Sequence, residues 1–109
     1  MKLWLDDVRP APDGWTWVGT AQNAIDLLVA RGQEVTEASL DHDLGTKQDG
    51  NWVAQYIARY KLLEPGTPIR IHSWNPDGAR TMAYWLSGAG YPVEVRPYDV
   101  DELSISPKR

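Results

Sequence analysis

The apolar positions near the start of the chain are grouped in short runs rather than at helical spacing. Leu3, Trp4 and Leu5 form an unbroken apolar run that predicts a short buried strand, and residues 15–18 predict a second strand. Residues 9–14, between the two runs, contain two prolines, an aspartate and a glycine. This composition is too broken for a regular helix, so the first connection is predicted to be a loop.

Three later segments carry apolar residues at the spacing of a helix that is buried along one side. The first helix is predicted to begin after Thr20 as N-cap and to end at Gly32. The second is marked from Trp52 onward and is predicted to stop at residues 64–66. The third is predicted to begin after Asn75 as N-cap and to end at Gly88. Pro76 suits the first turn of the third helix, because the N–H that proline lacks would have no helical partner there.

Further strands are predicted before the second and third helices and after the third. They cover residues 38–40, 69–71 and 93–95, and the last of them alternates like an edge strand. Five strands that alternate with helices imply parallel pairing and right-handed crossovers. The predicted fold class is therefore an α/β, flavodoxin-like three-layer sandwich with a five-stranded parallel sheet in the order 2-1-3-4-5, in which the first crossover helix is lost or reduced to a loop.

The composition fits one small domain inside the cell. The 109 residues, 42% of them apolar, can form one core, so residues 1–109 are predicted to be a single domain with residues 98–109 as a loose polar tail. The absence of cysteine excludes a disulfide framework and a thiolate metal site, and it suits a cytoplasmic protein. No long apolar run or leader is present, so neither membrane insertion nor secretion is expected. A net charge of -4 argues against a broad nucleic-acid-binding surface.

Polar clusters follow three of the predicted strands. Asp6-Asp7 with Arg9 follows the first strand, residues 41–43 (Asp-His-Asp) follow the third, and residues 72–75 (His-Ser-Trp-Asn) follow the fourth. In the order 2-1-3-4-5 these three strands are neighbours, and ligands bind at the carboxyl ends of such strands. The sequence therefore predicts one pocket, and the side chains that it would gather are Asp6, Asp7, Asp41, Asp43, His72 and Ser73.

These clusters resemble known motifs. The pair Asp6-Asp7, Asp41 and His72-Ser73 look like the acidic pocket and the hydroxyl position of response-regulator receiver domains. The fuller set of motifs is similar to a divergent family, the cyclic-phosphate processing receiver domain. The segments that carry this likeness are residues 3–10 (LWLDDVRP), 14–15 (GW), 39–45 (SLDHDLG) and 72–78 (HSWNPDG).

The resemblance implies a receiver-like fold and a role in processing cyclic phosphates, which has been inferred for the family from its association with RNA-repair components. The chain also departs from ordinary receivers. Residues 95–97 (Val-Arg-Pro) stand where a phosphorelay receiver carries a lysine, so a signalling linkage is in doubt. Arg96 could substitute for part of the charge of that lysine, although arginine and lysine differ in geometry.

A pocket of this composition needs a cation, because its carboxylates repel one another and would repel a phosphate. An oxygen donor set favours Mg²⁺ or Mn²⁺, so the predicted ligands are Asp6, Asp7, Asp41 and Asp43. Asp41 and Asp43 project the same way if the strand continues that far, whereas His42 points to the other side. The alternative is that His42 or Asp43 only caps a turn into Gly45.

His72 is the main candidate for proton transfer, with Asp41 and His42 as further catalytic candidates. An imidazole titrates near neutrality, so His72 could protonate a leaving ribose oxygen or orient a bound phosphate. The alternative for His72 is a core histidine with satisfied hydrogen bonds at a strand end.

Four further side chains are candidates for substrate binding. Arg9 could clamp a phosphate with two hydrogen bonds, Ser73 and Asn75 could hold phosphate oxygens at the start of a helix, and Trp74 could stack on a nucleobase. The alternatives are a solvated arginine and ordinary helix capping by Asn75.

The sequence thus favours an enzyme that opens a cyclic phosphate, on an RNA end or on a nucleotide-derived small molecule, with help from a divalent metal ion. One alternative is a binding protein that sequesters a cyclic nucleotide signal without cleaving it. Another is a phosphoacceptor receiver in a signalling relay, with Asp41 as the acceptor.

Overall fold

The computed structural model describes residues 1–98. Residues 99–109, to which most of the predicted loose tail belongs, lie outside the described residues. Tyr98, the first residue of that predicted tail, is described and packs on Arg9, whose guanidinium carbon lies 3.8 Å from the centre of the tyrosine ring.

Five short strands form one parallel sheet in the order β2-β1-β3-β4-β5. The strands are β1 (Lys2–Leu5), β2 (Trp15–Val18), β3 (Glu37–Leu40), β4 (Ile69–Ile71) and β5 (Val93–Val95). Each of them contains the apolar run that predicted it. The sheet order and the receiver-like α/β fold class are therefore confirmed, and the β1–β2 connection contains no helix.

Three helices connect the later strands: α1 (Ala21–Arg31), α2 (Gly50–Tyr60) and α3 (Pro76–Gly88). The predicted caps of α1 and α3 are confirmed, because the side chains of Thr20 and Asn75 accept backbone N–H groups of the first turn. None of the helices in residues 1–98 is long and apolar enough to cross a membrane.

The C-terminal limits of α2 and α3 differ from the prediction. Helix α2 ends at Tyr60, before the predicted stop at residues 64–66, because Lys61 adopts a left-handed conformation with φ 52°. Helix α3 includes Gly88, and the glycine with positive φ is Gly90 instead. In both cases a single left-handed residue follows the helix. Helix propensity alone does not predict the position of such a residue.

The topology places all three helices on one face of the sheet. The connections β2–α1–β3, β3–α2–β4 and β4–α3–β5 all move across the sheet in the same direction, and a right-handed crossover then puts each helix on the same side. The core lies there, between the helices and the apolar positions of the strands. Those strand positions include Leu3, Leu5, Ala38, Leu40, Ile69 and Ile71.

The opposite face of the sheet is covered differently. Its central row is Trp4, Ser39 and Arg70, which are paired in register on β1, β3 and β4. Trp4 is buried because the β1–β2 loop folds over it: its indole Nε1 donates to the carbonyl oxygen of Arg9 at 3.0 Å, and the Trp15 ring meets it edge-on. In residues 1–98 a loop and aromatic side chains thus stand where the first crossover helix of a receiver would be.

Candidate active site

Three of the predicted site residues lie side by side at the carboxyl edge of the sheet, because the backbone ladder continues one residue past each strand. The bonds are Asp6 N to Val18 O at 3.1 Å, Asp41 N to Leu5 O at 2.9 Å and His72 N to Leu40 O at 2.9 Å. Asp6, Asp41 and His72 each come two residues after the central row Trp4, Ser39 and Arg70. Strand alternation therefore places them on the polar face of the sheet.

Asp6 is buried and fully hydrogen-bonded. Its Oδ1 accepts the backbone N–H groups of Val8 and Arg9 at 2.9 and 2.8 Å, and its Oδ2 accepts Arg9 Nη1 at 2.9 Å and His72 Nε2 at 3.1 Å. Burial by itself would raise the pKa of this carboxyl, but the hydrogen bonds from His72, Arg9 and Val8 and the charge of Arg9 outweigh it and lower the pKa. Asp6 is therefore ionised, and all four of its ordinary acceptor positions are in use.

His72 lies beneath Asp6 with 0% of its side chain exposed. Its ring stacks on Trp4 with centroids 4.0 Å apart and planes 7° from parallel, and its Nδ1 lies 2.7 Å from the Oγ of Ser39. Burial lowers the pKa of His72, although the hydrogen bond and charge of Asp6 oppose this shift. These contacts match the satisfied core histidine that the sequence offered as an alternative, while proton transfer by His72 stays a prediction.

Arg9 joins the two buried aspartates. Its Nη1 lies 2.9 Å from Asp6 Oδ2 and 3.4 Å from Asp41 Oδ2, and its side chain is 16% exposed. The guanidinium also packs on Tyr98, and its Nε is buried without a hydrogen-bond partner in residues 1–98. Arg9 is therefore a partly buried internal cation and not the solvated loop residue that the alternative described.

Asp41 has a less favourable environment than Asp6. Its Oδ1 accepts the N–H of His42 at 2.8 Å, and within residues 1–98 the one hydrogen bond to its Oδ2 is the longer contact with Arg9 at 3.4 Å. Burial and the charge of Asp6 raise the pKa of Asp41 to about 6, against the opposing charge of Arg9. Asp41 can consequently exchange a proton close to neutral pH.

One group of side chains in the described part of the chain could hold a metal ion, and it consists of Asp6, Asp41 and His72. One ligand atom of each lies within 4.8 Å of the others. This set contains His72 in place of the predicted Asp7 and Asp43. An ion among these three residues would have to compete with Arg9 Nη1, which already contacts both carboxylates.

Asp7 and Asp43 lie beside an open cavity of about 330 Å³ at the same edge of the sheet. The cavity is lined by Asp7, Val8, Arg9, Asp41, Asp43, Gly45 and Trp74. Trp74 is 64% exposed, and its ring meets Tyr98 at a right angle. The fold thus brings three of the predicted metal ligands and two of the predicted substrate-binding residues to one surface.

His42 lies on the other side of its strand, as alternation predicted. Its Nδ1 is 2.9 Å from Asp43 Oδ1, and its Nε2 is 3.4 Å from Asp49 Oδ2 at the start of α2. The ring also covers Gly78 in the first turn of α3, where a Cβ atom would come within 2.5 Å of it. The structure therefore places His42 between two helix N-termini and outside the cluster of Asp6, Asp41 and His72.

Ser73 and Asn75 bond to the turn that starts α3. The Oγ of Ser73 accepts the N–H of Asn75 at 3.0 Å, and Asn75 Oδ1 accepts the N–H of Gly78 at 3.0 Å. These are the contacts of helix capping, and they occupy the oxygens of both side chains. Phosphate binding by Ser73 and Asn75 stays a prediction.

Sequence reasoning did not select Ser39, Trp4 or Tyr98 as site residues. The first two could have been found by alternation, because Ser39 and Trp4 come two residues before Asp41 and Asp6 and share their face. No local signal marks Tyr98.

Arg96 stands where a relay receiver has lysine. Its Nε donates to Oε1 of Glu94, on the exposed edge strand, at 3.2 Å.

Comparison with known protein families agrees with this arrangement. No curated protein matches the chain at a significant level. The chain does match the family model of the cyclic-phosphate processing receiver domain over residues 1–88, which include β1 to α3 and all three polar clusters. This match covers most of the 109 residues, and the chain therefore belongs to the family of cyclic-phosphate processing receiver domains.

Proposed function

We propose that the protein opens a cyclic phosphate by hydrolysis in the cavity at the carboxyl edge of the sheet. The observation that carries the proposal is the lining of that cavity: an arginine held by carboxylates (Arg9), a carboxyl that can exchange a proton near neutral pH (Asp41) and an exposed indole (Trp74) meet on one surface. The family name supports the substrate class.

The reaction needs few groups. A water oxygen forms a bond to phosphorus, and one of the two ring P–O bonds to the sugar breaks. The water loses a proton and the departing sugar oxygen gains one, so that the product is an open phosphate monoester. Asp41 lines the cavity, and we propose that it accepts the proton of the attacking water.

Arg9 is placed to bind the phosphoryl oxygens. Its Nη1 is committed to the two aspartates, but Arg9 also lines the cavity, so we propose that a ligand binds the part of the guanidinium that faces the cavity. A guanidinium can donate two parallel hydrogen bonds to a phosphate, which orients the phosphorus as well as attracting it. The charge on the phosphoryl oxygens rises during attack, so a fixed cation stabilises the transition state more than the bound substrate.

A divalent cation, Mg²⁺ or Mn²⁺, is the second part of the proposal. Arg9 alone does not balance the charges of Asp7, Asp41 and Asp43 around the cavity. Mg²⁺ is commonly bound by one or two carboxylates together with substrate phosphate oxygens. Asp7 and Asp43 are the cavity carboxylates that Arg9 does not hold, so they would hold the ion, which when bound would neutralise charge on the phosphoryl oxygens.

The exposure of Trp74 supports a substrate that carries a nucleobase. It is a large apolar side chain left exposed at the edge of a polar cavity, and stacking of a base on such a ring contributes roughly 1–3 kcal/mol. We therefore propose a nucleotide or an RNA 3′ end bearing a 2′,3′-cyclic phosphate as the substrate.

The test is incubation with mononucleotide and oligonucleotide cyclic phosphates, with and without Mg²⁺ or Mn²⁺, followed by mass spectrometry of the products. Gain of one water by the substrate is expected. Asp41→Asn should reduce the rate by roughly a hundredfold or more, the usual range for a positioned acid or base. Asp26→Asn, which changes an exposed carboxylate on α1, is the matched control and should not alter the rate.

Other results would favour the alternatives. Tight binding of a cyclic nucleotide with no product would indicate sequestration. Formation of a stable aspartyl phosphate on Asp41 from acetyl phosphate would indicate a relay receiver, and it would contradict ring opening as the main activity.

A further inference from the structure

We propose that Ser39 is a positioning residue for Arg9, acting through His72 and Asp6 by a buried chain of hydrogen bonds that crosses three strands. The chain runs from Ser39 Oγ to His72 Nδ1 (2.7 Å), from His72 Nε2 to Asp6 Oδ2 (3.1 Å), and from Asp6 to Arg9 Nη1 (2.9 Å). The inference rests on the proposed function only for its effect on turnover, because the chain itself can be observed without any substrate.

The direction of each hydrogen bond follows from the chemistry of its partners. The Asp6 carboxylate can only accept, so the proton between it and His72 must belong to His72 Nε2. A neutral imidazole with its proton on Nε2 has a bare Nδ1, which can only accept. The hydroxyl of Ser39 is then the donor to Nδ1, and this bond fits the tautomer that Asp6 requires.

The imidazole is held too tightly to adopt another arrangement. Ser39, Asp6 and His72 are all fully buried, and the ring of His72 lies flat on Trp4. A 180° flip of the ring would put its carbons where the two nitrogens now bond and would break both hydrogen bonds, and an unpaired buried polar group costs about 1–3 kcal/mol. The stack on Trp4 fixes the plane of the ring, and the two hydrogen bonds fix its rotation within that plane.

The chain of hydrogen bonds ends at Arg9 and holds this residue in place. Asp6 receives four hydrogen bonds, and two of them, from the backbone N–H and the side chain of Arg9, hold that residue at both ends. The Arg9 side chain is only 16% exposed, and the Tyr98 ring packs on its guanidinium. The guanidinium is thus held in one orientation beside Asp41, with Nη1 3.4 Å from Asp41 Oδ2.

Removal of the Ser39 hydroxyl should weaken this chain of hydrogen bonds at the end opposite to Arg9. In Ser39→Ala one of the two hydrogen bonds that fix the rotation of the His72 ring within its plane is lost, and Nδ1 is left buried without a donor. The ring can then turn away from Asp6, which weakens the bond from Nε2 to Asp6 Oδ2 and gives Arg9 freedom to leave Asp41. The change occurs on β3, in a side chain with no place in the cavity lining.

The experiment combines ¹⁵N NMR of the His72 ring and the Arg9 side chain with steady-state kinetics on a cyclic-phosphate substrate. In the native protein, His72 should show a protonated Nε2 and a bare Nδ1. In Ser39→Ala the Nδ1 signal of His72 should shift because that nitrogen loses its hydrogen bond, the Arg9 Nε–H signal should shift or broaden, and kcat should fall by roughly tenfold, as for other groups that orient a site residue. Ser39→Thr, which keeps the hydroxyl, should restore the native signals.

The matched control is Thr67→Ala, which removes another buried hydroxyl. The Thr67 hydroxyl lies outside the site and donates to the carbonyl oxygen of Glu64 at a distance of 2.7 Å. It should leave the His72 and Arg9 signals and kcat unchanged. A native His72 protonated on Nδ1, or a Ser39→Ala protein with unchanged His72 and Arg9 signals, would overturn the positioning role. A native protein that shows the predicted tautomer but cleaves no cyclic phosphate would refute the proposed function alone.

Discussion

His72 and His42 both follow a strand of the parallel sheet, and both lie within hydrogen-bond distance of a carboxylate, yet they lie on opposite sides of that sheet. His72 is fully buried between Trp4, Ser39 and Asp6. His42 is partly exposed and lies across the first turns of α2 and α3. Two histidines in similar sequence surroundings therefore contribute to different parts of the molecule.

The comparison shows that the side of the strand and the depth of burial determine what a polar residue can do. On the polar face, His72 is fully buried, and in the described part of the chain its ring contacts Ser39, Asp6 and Trp4. On the helix face, His42 packs against backbone and joins two helix N-termini. A histidine next to carboxylates is thus not by itself a sign of proton transfer.

The largest expected effect is the loss of stability in His72→Ala. The substitution opens a cavity beside Trp4, removes one of the donors to Asp6 and takes away the histidine partner of the buried Ser39 hydroxyl, so we expect a cost of about 3–5 kcal/mol in the free energy of unfolding. His42→Ala should cost only about 1 kcal/mol, because its ring is in partial contact with water. Urea denaturation followed by tryptophan fluorescence measures both, and an equal or larger cost for His42→Ala would contradict the comparison.

The second prediction concerns the packing of His42 on α3. A Cβ atom at Gly78 would lie 2.5 Å from the His42 ring, so Gly78→Ala should destabilise the protein by about 1–3 kcal/mol. Gly88→Ala is the control in the same helix, because nothing lies within 4 Å of its added Cβ. Alanine favours a helix over glycine by up to about 1 kcal/mol, so this control should be neutral or stabilising.

A double-mutant cycle then isolates the contact between the ring and the helix. In a His42→Ala background, Gly78→Ala should lose most of its cost, because the ring that it would strike is gone. If Gly78→Ala costs the same in both backgrounds, the His42 ring does not pack on α3 as described.

The smallest expected effect is on the pH dependence of stability, and it concerns Asp41. Its pKa is raised to about 6 in the folded protein, so the folded state holds this proton more tightly than the unfolded state. The stabilising contribution of that proton is complete below pH 4 and is lost as the pH rises to about 6 and beyond. Asp41→Asn should therefore be more stable than the native protein above that range, by about 1–2 kcal/mol after allowance for partial solvation.

Thermal unfolding from pH 4 to pH 8 in the presence of EDTA measures this difference. The advantage of Asp41→Asn should grow through the window from pH 4 to pH 6 and then level off. The pKa of Asp6 is shifted the other way, so its stabilising contribution is present above the unfolded value and is lost as the pH falls. If the native protein is more stable than Asp41→Asn at pH 8, the interactions of the ionised Asp41 carboxylate stabilise the fold by more than its burial costs.

Most of the fold could be predicted from the sequence, because its signals are local. Apolar runs and helical spacing depend on the period of the backbone, and the caps Thr20 and Asn75 act on N–H groups within three residues. The handedness of crossovers then leaves few ways to order the strands. The three polar clusters could be placed at one edge of the sheet for the same reason.

The functional details depended on contacts between distant residues. Ser39 meets His72 only because β3 and β4 pair with Ser39 opposite Arg70, and Arg9 reaches Asp41 only because its loop folds back over β1. Tyr98 packs on Arg9 from far along the chain.

Local chemistry determined the elements and the set of polar residues in this protein. Tertiary structure decided which polar residues are buried, which partner each has, and which therefore remain available to a ligand. The physical reason is that propensities and caps act over a few residues, whereas burial and hydrogen-bond pairing are set by the register of strands and by loops that close over them.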